Sequence, residues 1–192
     1  MTTIVGILNV TPDSFSDGGR FTDVEAAVAR GVELTRAGAA IVDVGGESTR
    51  PGAVRVDPAI ERERALPVVR GLAEHGVNVS IDTMNAATAL AAIDAGAVIV
   101  NDVSGGLADP DMFAAVAPTP AAIVLQHWRG HSDRMYERAE YRDVAREVAV
   151  ELQERVDAAA KAGISPDRLV LDPGIGFGKT PEQSWSLLHG LA

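Results

Sequence analysis

The chain has 192 residues, 46% apolar and 23% charged, enough for one well-buried domain and unlike a disordered or fibrous chain. It has no cysteine, which excludes disulfides, thiol catalysis and thiolate metal sites and fits a reducing, cytoplasmic setting. A net charge of −10 argues against nucleic acid or an anionic membrane as the main partner, whereas a small anionic substrate needs only a few local arginines.

The first apolar run, residues 4–9, reads as a buried strand. It has no basic residue before it and is too short for a secretory core with its cleavage site. A helix is predicted over 23–37, with Thr22 as N-cap and Gly38 closing it. A strand over 39–44 precedes a helix over 58–74 that opens on Asp57 and Pro58 and ends near Gly76. Then come a strand over 77–81, a helix over 86–95 ending at Gly96, a strand over 97–100 and a short helix over 111–117. The last pairs are a strand over 121–125 with a helix over 143–162 ending at Gly163, and a strand over 169–171 with a helix over 181–188 after Thr180. No apolar stretch is long enough to span a bilayer. With only 4% aromatic residues, the core is built from Ala, Val, Ile and Leu, which pack well between helices and parallel strands.

Strict alternation of strand and helix predicts an α/β fold with a parallel sheet. A closed barrel and a doubly wound sheet compete. Polar residues at nearly every strand end (Asn9, Asp43, Asp82, Asn101, His127, Asp172) favour the barrel, where the site is assembled from many strand ends. The expectation is a (β/α)8 TIM-barrel type domain over residues 1–192 with only six βα units, against the eight units and about 250 residues of a closed barrel.

Six segments carry candidate chemistry. Residues 9–19 offer Asp13, Phe15, Asp17 and the Gly18-Gly19 pair, either a lid over a polar ligand or an ordinary Asx/Ser-rich turn. Residues 43–52 hold Gly45-Gly46, which let backbone approach a ligand, and Thr49-Arg50-Pro51, where the guanidinium suits phosphate oxygens or simply solvent. Asp82 at a strand end is either a ligand group or a helix N-cap. Asn101 and Asp102 need hydrogen-bond partners if buried, and Asn101 can read a heterocycle edge. His127 and His131 invite a zinc reading, which Gly130 and the strand-end position oppose; a hydrogen-bonded structural His127 is preferred. Residues 172–180 fail the P-loop at Pro173 and the dinucleotide fingerprint at Lys179, leaving a strand-end carboxylate, Asp172, suited to an amidine-like edge.

Together, segments 9–19, 43–52, 80–83, 101–106, 127–129 and 172–179 resemble the dihydropteroate synthases, a pterin-binding family of (β/α)8 barrels, from the start of the chain to its end. The resemblance implies a transferase of folate biosynthesis. It would condense 6-hydroxymethyl-7,8-dihydropterin pyrophosphate with p-aminobenzoate, giving 7,8-dihydropteroate and pyrophosphate. It implies catalytic roles for Asp17, Arg50, Asp82 and Asp172, and pterin contacts from Asp82, Asn101, Val103, Asp172 and Phe177. It places Phe15, Thr49 and Pro51 at p-aminobenzoate, and Asn9 and Arg50 at the pyrophosphate, with Asn9 also at Mg²⁺. It implies small-molecule substrates and allows a homodimer. Two features depart from the family: Gln126 stands where methionine usually precedes the strand-five histidine, and the Ser-Arg-Lys and Arg-x-His segments of strands seven and eight do not occur. The chain is therefore expected to be truncated before those strands. A methyltetrahydrofolate-binding corrinoid methyltransferase and a non-catalytic partial barrel are the alternatives.

Overall fold

A computed structural model describes residues 2–11, 20–47, 55–131 and 135–190. Among them, β1 (Val5–Asn9), β2 (Ile41–Gly45), β3 (Val79–Asp82), β4 (Ile99–Asp102), β5 (Ala122–Gln126) and β6 (Leu169–Asp172) alternate with helices. These are α1 (Arg20–Arg36), α2 (Pro58–Glu74), α3 (Ala86–Asp94), α4 (Met112–Val116), α5 (Val144–Lys161) and α6 (Pro181–Gly190). The strands are all parallel and pair in sequential order from β1 to β6. Sequential order is that of a β/α barrel; a doubly wound sheet reverses at a switch point. The expected α/β class, with six units of the barrel type, is what the chain adopts.

Register separates the two faces of the sheet. Leu8, Val44, Ile81, Val100, Ile123 and Leu169 form one row across all six strands. All six belong to or pack against the main apolar core. Full burial of each such side chain contributes roughly 1.5–3 kcal/mol, so this helix-facing side holds the sheet together. The next row, Asn9, Gly45, Asp82, Asn101, Val124 and Val170, points to the opposite, inner face because side chains alternate along a strand.

Three strands start two residues later than the apolar runs predict, for one shared reason. Gly38, Gly76 and Gly96 each take a positive φ just past a helix. The next residue's N–H then bonds back five residues, Ala39 to Leu34, Val77 to Leu72 and Ala97 to Ala92. These are Schellman closures, so Ala39, Val77 and Ala97 finish helices and do not open strands. At the other ends, Asp57 caps α2 as expected, its Oδ1 accepting from Ala59 N at 2.7 Å. Helix α1 begins at Arg20, so Thr22 lies inside it and is not its cap. Among the described residues no helix is long and apolar enough to cross a membrane.

Candidate functional site

The carboxyl ends of β1 to β4 bring polar side chains together on the inner face. Asp82 and Asn101 are Cα partners, and Asp82 also pairs with Gly45, which pairs with Asn9. Gly45 is the floor between them: a Cβ there would lie 3.4 Å from both Asn9 Oδ1 and Asp82 Oδ2. One step deeper, Asn101 Nδ2 donates to Asp43 Oδ2 at 2.9 Å, reaching over β3 from β4 to β2. Such a contact requires the sheet to curl inward here. Asp172 pairs with Gln126 two residues beyond the Val124–Val170 pair, so it leaves the sheet on this same face. Its Oδ1 accepts from Gly174 N at 2.7 Å, which fixes the carboxylate at the start of the following loop.

Electrostatics make this mouth unusual. Burial, then Asp43, Glu61, Asp102 and Glu47, push the Asp82 carboxyl well above the ordinary carboxylate range. Burial likewise raises Asp43, against the pull of Ser80 and Asn101, and Asp43 Oδ1 is buried without a hydrogen-bond partner. The N-cap role for Asp82 is ruled out: Asn85 occupies the cap of α3, and Ala86 N donates to Asp109 Oδ2 at 2.8 Å instead. Asp82 held among like charges, beside an Asp43 with one unpartnered oxygen, favours a ligand that arrives with N–H donors or positive charge.

Two buried networks hold the loops in place. Glu61 on α2 accepts from Asn85 Nδ2 and Thr88 Oγ1, both at 2.7 Å, and is 1% exposed. Arg55 Nε pairs with Glu47 Oε1 at 2.9 Å, tying the residues after β2 into the same network. Asp102, fully buried, accepts from Ser104 N, Ser104 Oγ and Gly106 N at 2.8, 2.6 and 2.7 Å, which shapes the loop after β4. Asp102 is thus a structural acid on the helix-facing side, while its neighbour Asn101 faces the site.

The third network joins the loops after β5 and β6. Lys179, 2% exposed, donates to His127 Nδ1, Gly174 O and Phe177 O, each at 3.0 Å. An ammonium only donates, so Nδ1 accepts and the His127 proton sits on Nε2, 2.9 Å from Glu151 Oε2. Burial, then the Lys179 charge, lowers His127 to about 4, so the ring is neutral. Burial, then Arg129, lowers Lys179 to about 8. Arg129 pairs with Glu147 and Glu151 and lies 3.8 Å over the Tyr141 ring. His127 is therefore the hydrogen-bonded residue expected.

Of the residues predicted for the site, Asn9, Asp82, Asn101 and Asp172 share the inner face. Val103, 6% exposed, and Phe177 stand on the loops after β4 and β6. Phe15, Asp17, Thr49, Arg50 and Pro51 lie outside the described residues. Sequence reasoning assigned no role to Lys179, Glu61 or Glu151. Two of them had a signal: Glu61 is spaced with Ala65, Val68 and Leu72, and Glu151 with Val144 and Val148, on buried helical stripes. Among the described residues no group of three His, Cys, Asp or Glu is placed to hold a metal ion.

Comparison with known proteins agrees with this arrangement. Residues 5–192 match the family model described as pterin binding enzyme. A dihydropteroate synthase of Mycobacterium leprae is 55% identical over 189 residues, 98% of this chain and 66% of the relative. The structure of Xanthomonas albilineans dihydropteroate synthase with 4-aminobenzoic acid superposes with a TM-score of 0.89 at 45% identity, covering 98% of this chain and 67% of that one. That of the Anaplasma phagocytophilum enzyme with bound 6-hydroxymethylpterin-monophosphate gives 0.88 at 40% identity, covering 98% of this chain and 73% of that one. The chain spans about two thirds of the length of the curated relatives it matches, 66% of the Mycobacterium leprae protein. With six sequential βα units and a matching family model, the chain belongs to the family of pterin-binding enzymes that includes the dihydropteroate synthases.

Proposed function

We propose that the protein containing this chain condenses 6-hydroxymethyl-7,8-dihydropterin pyrophosphate with p-aminobenzoate. The observation that carries this reading is the pairing of Asp82 with Asn101 at the inner mouth, with Asp172 on the same face. An amide offers a donor and an acceptor, and carboxylates accept from the N–H groups of a 2-amino-4-oxo ring edge. Among the described residues the Asp82 carboxyl has no hydrogen-bond donor lowering its pKa and is held among like charges, so a ligand with N–H donors relieves it. The Xanthomonas albilineans structure holds 4-aminobenzoic acid and the Anaplasma phagocytophilum structure 6-hydroxymethylpterin-monophosphate, which supports substrates of the same kinds here.

In the reaction, the bond between the pterin methylene and the pyrophosphate oxygen breaks, and the arylamine nitrogen bonds to that carbon and then loses a proton. Carboxylates at the strand ends stabilise positive charge developing on the pterin. Arg50, Asp17, Phe15, Thr49 and Pro51, which follow β1 and β2 in the sequence, would hold the anion and the aryl ring and exclude water. Val103 and Phe177 would pack beside the pterin. An Mg²⁺ fits as an ion carried by the pyrophosphate, because Mg²⁺ keeps most of its waters and needs one or two protein oxygens; Asn9 would supply one. Bound there, it would neutralise the leaving group. Lack of cysteine supports a cytoplasmic setting for this chemistry.

The test is turnover by the full-length protein. We expect dihydropteroate and pyrophosphate in equal amounts, and p-aminobenzoate binding only when pyrophosphate is present. Asp82→Asn should lower kcat/KM by roughly 100-fold or more, the scale of losing a charge-stabilising group. No condensation, or methyl transfer from methyltetrahydrofolate, would overturn the reading.

A further inference from the structure

Gln126 closes β5 and Cα-pairs with Asp172, so the two side chains leave the sheet together on the face that carries Asn101. It is 4% exposed, and its Nε2 is buried without a hydrogen-bond partner. Its stem is held against the loop after β6, since a Cβ on Gly174 would lie 3.4 Å from Gln126 Cγ. A buried, unpaired amide costs about 1–3 kcal/mol, and an apolar side chain of similar size would carry no such cost. A polar group kept at this expense, beside a ligand-facing acid, points to a partner that comes with the ligand.

The neighbouring acid narrows what that partner is. Asp172 accepts, with Oδ1 taken by Gly174 N and Oδ2 left for a ligand. Gln126 Nε2 donates. Side by side they present an acceptor and a donor, the complement of a ring N–H next to a ring carbonyl. Resting on the reading given above, we propose that Gln126 is a specificity-determining residue: it donates to the ring carbonyl of the heterocycle whose adjacent N–H is taken by Asp172. In a pterin those groups are the 4-oxo oxygen and the neighbouring ring N–H.

Gln126→Met tests this in the full-length protein, because methionine keeps the length and removes the donor. The probe is 6-hydroxymethylpterin, titrated by calorimetry, alongside thermal unfolding of the ligand-free protein. We expect the variant to bind about tenfold more weakly, the loss of one hydrogen bond, and to unfold at a higher temperature when empty. Equal affinity in both proteins would overturn the inference alone. Weaker binding with a lower unfolding temperature would also overturn it, since that marks a structural role. Failure of the unsubstituted protein to bind the pterin would overturn the functional reading, and this inference with it.

Discussion

Lys179 shows how one side chain ties two loops. Its three hydrogen bonds, to His127 Nδ1, Gly174 O and Phe177 O, leave no proton free, and its stem crosses from the loop after β6 to the end of β5. Lys179→Met keeps most of the volume but strands three acceptors. We expect a loss of about 3 kcal/mol or more, at roughly 1–3 for each stranded acceptor. Chemical denaturation with an unchanged m-value checks it. The residue was passed over in the sequence because its importance lies in a contact 52 positions away. Locally it appears only as the lysine that breaks a glycine fingerprint. Asn9, Asp82, Asn101 and Asp172 were legible for the opposite reason. Each ends an apolar run, and a polar group there costs free energy unless it meets a partner.

At the scale of elements, the helix ends and the β2–α2 junction decide the geometry. Every unit was legible from its apolar run, but the starts of β2, β3 and β4 were not, because glycine closures borrow the first apolar residues for the preceding helix. The junction after β2 depends on close backbone approach. A Cβ on Gly46 would stand 2.8 Å from Glu61 O, a backbone atom of α2 that cannot swing away. Arg64 Nη1 also donates to Gly46 O at 3.3 Å, so α2 meets Gly46 at two points. Gly46→Ala must push β2 and α2 apart where Glu61 meets Asn85 and Thr88. We expect a loss of about 1–3 kcal/mol, the usual cost of overpacking, read from a lower urea midpoint.

For the whole molecule, the two ends of the site respond to acid in opposite senses. His127 has a folded pKa of about 4 against an ordinary 6.5. Between those values the unfolded chain binds the proton and the folded chain does not, so stability is lost as pH falls through that window. Glu147, lowered to about 2 by the Asp143 N–H and then by Arg129, adds a loss at lower pH. Asp82 is raised instead, so its ionised form destabilises the fold at neutral pH and its protonation relieves the strain as pH falls. Asp82→Asn should therefore unfold at a higher temperature than the unsubstituted protein at pH 7, with the gap closing toward the ordinary carboxylate value of 3.8. His127→Asn should behave inversely. It loses stability at pH 7, where the bonds to Glu151 and Lys179 are missing, but its acid limb between pH 6.5 and 4 should be flatter. Thermal unfolding of the three proteins across that range reads both signs at once. Parallel curves would mean that neither group titrates differently in the folded and unfolded chains, and the crowded-carboxylate account of the strand-end site would fall with them.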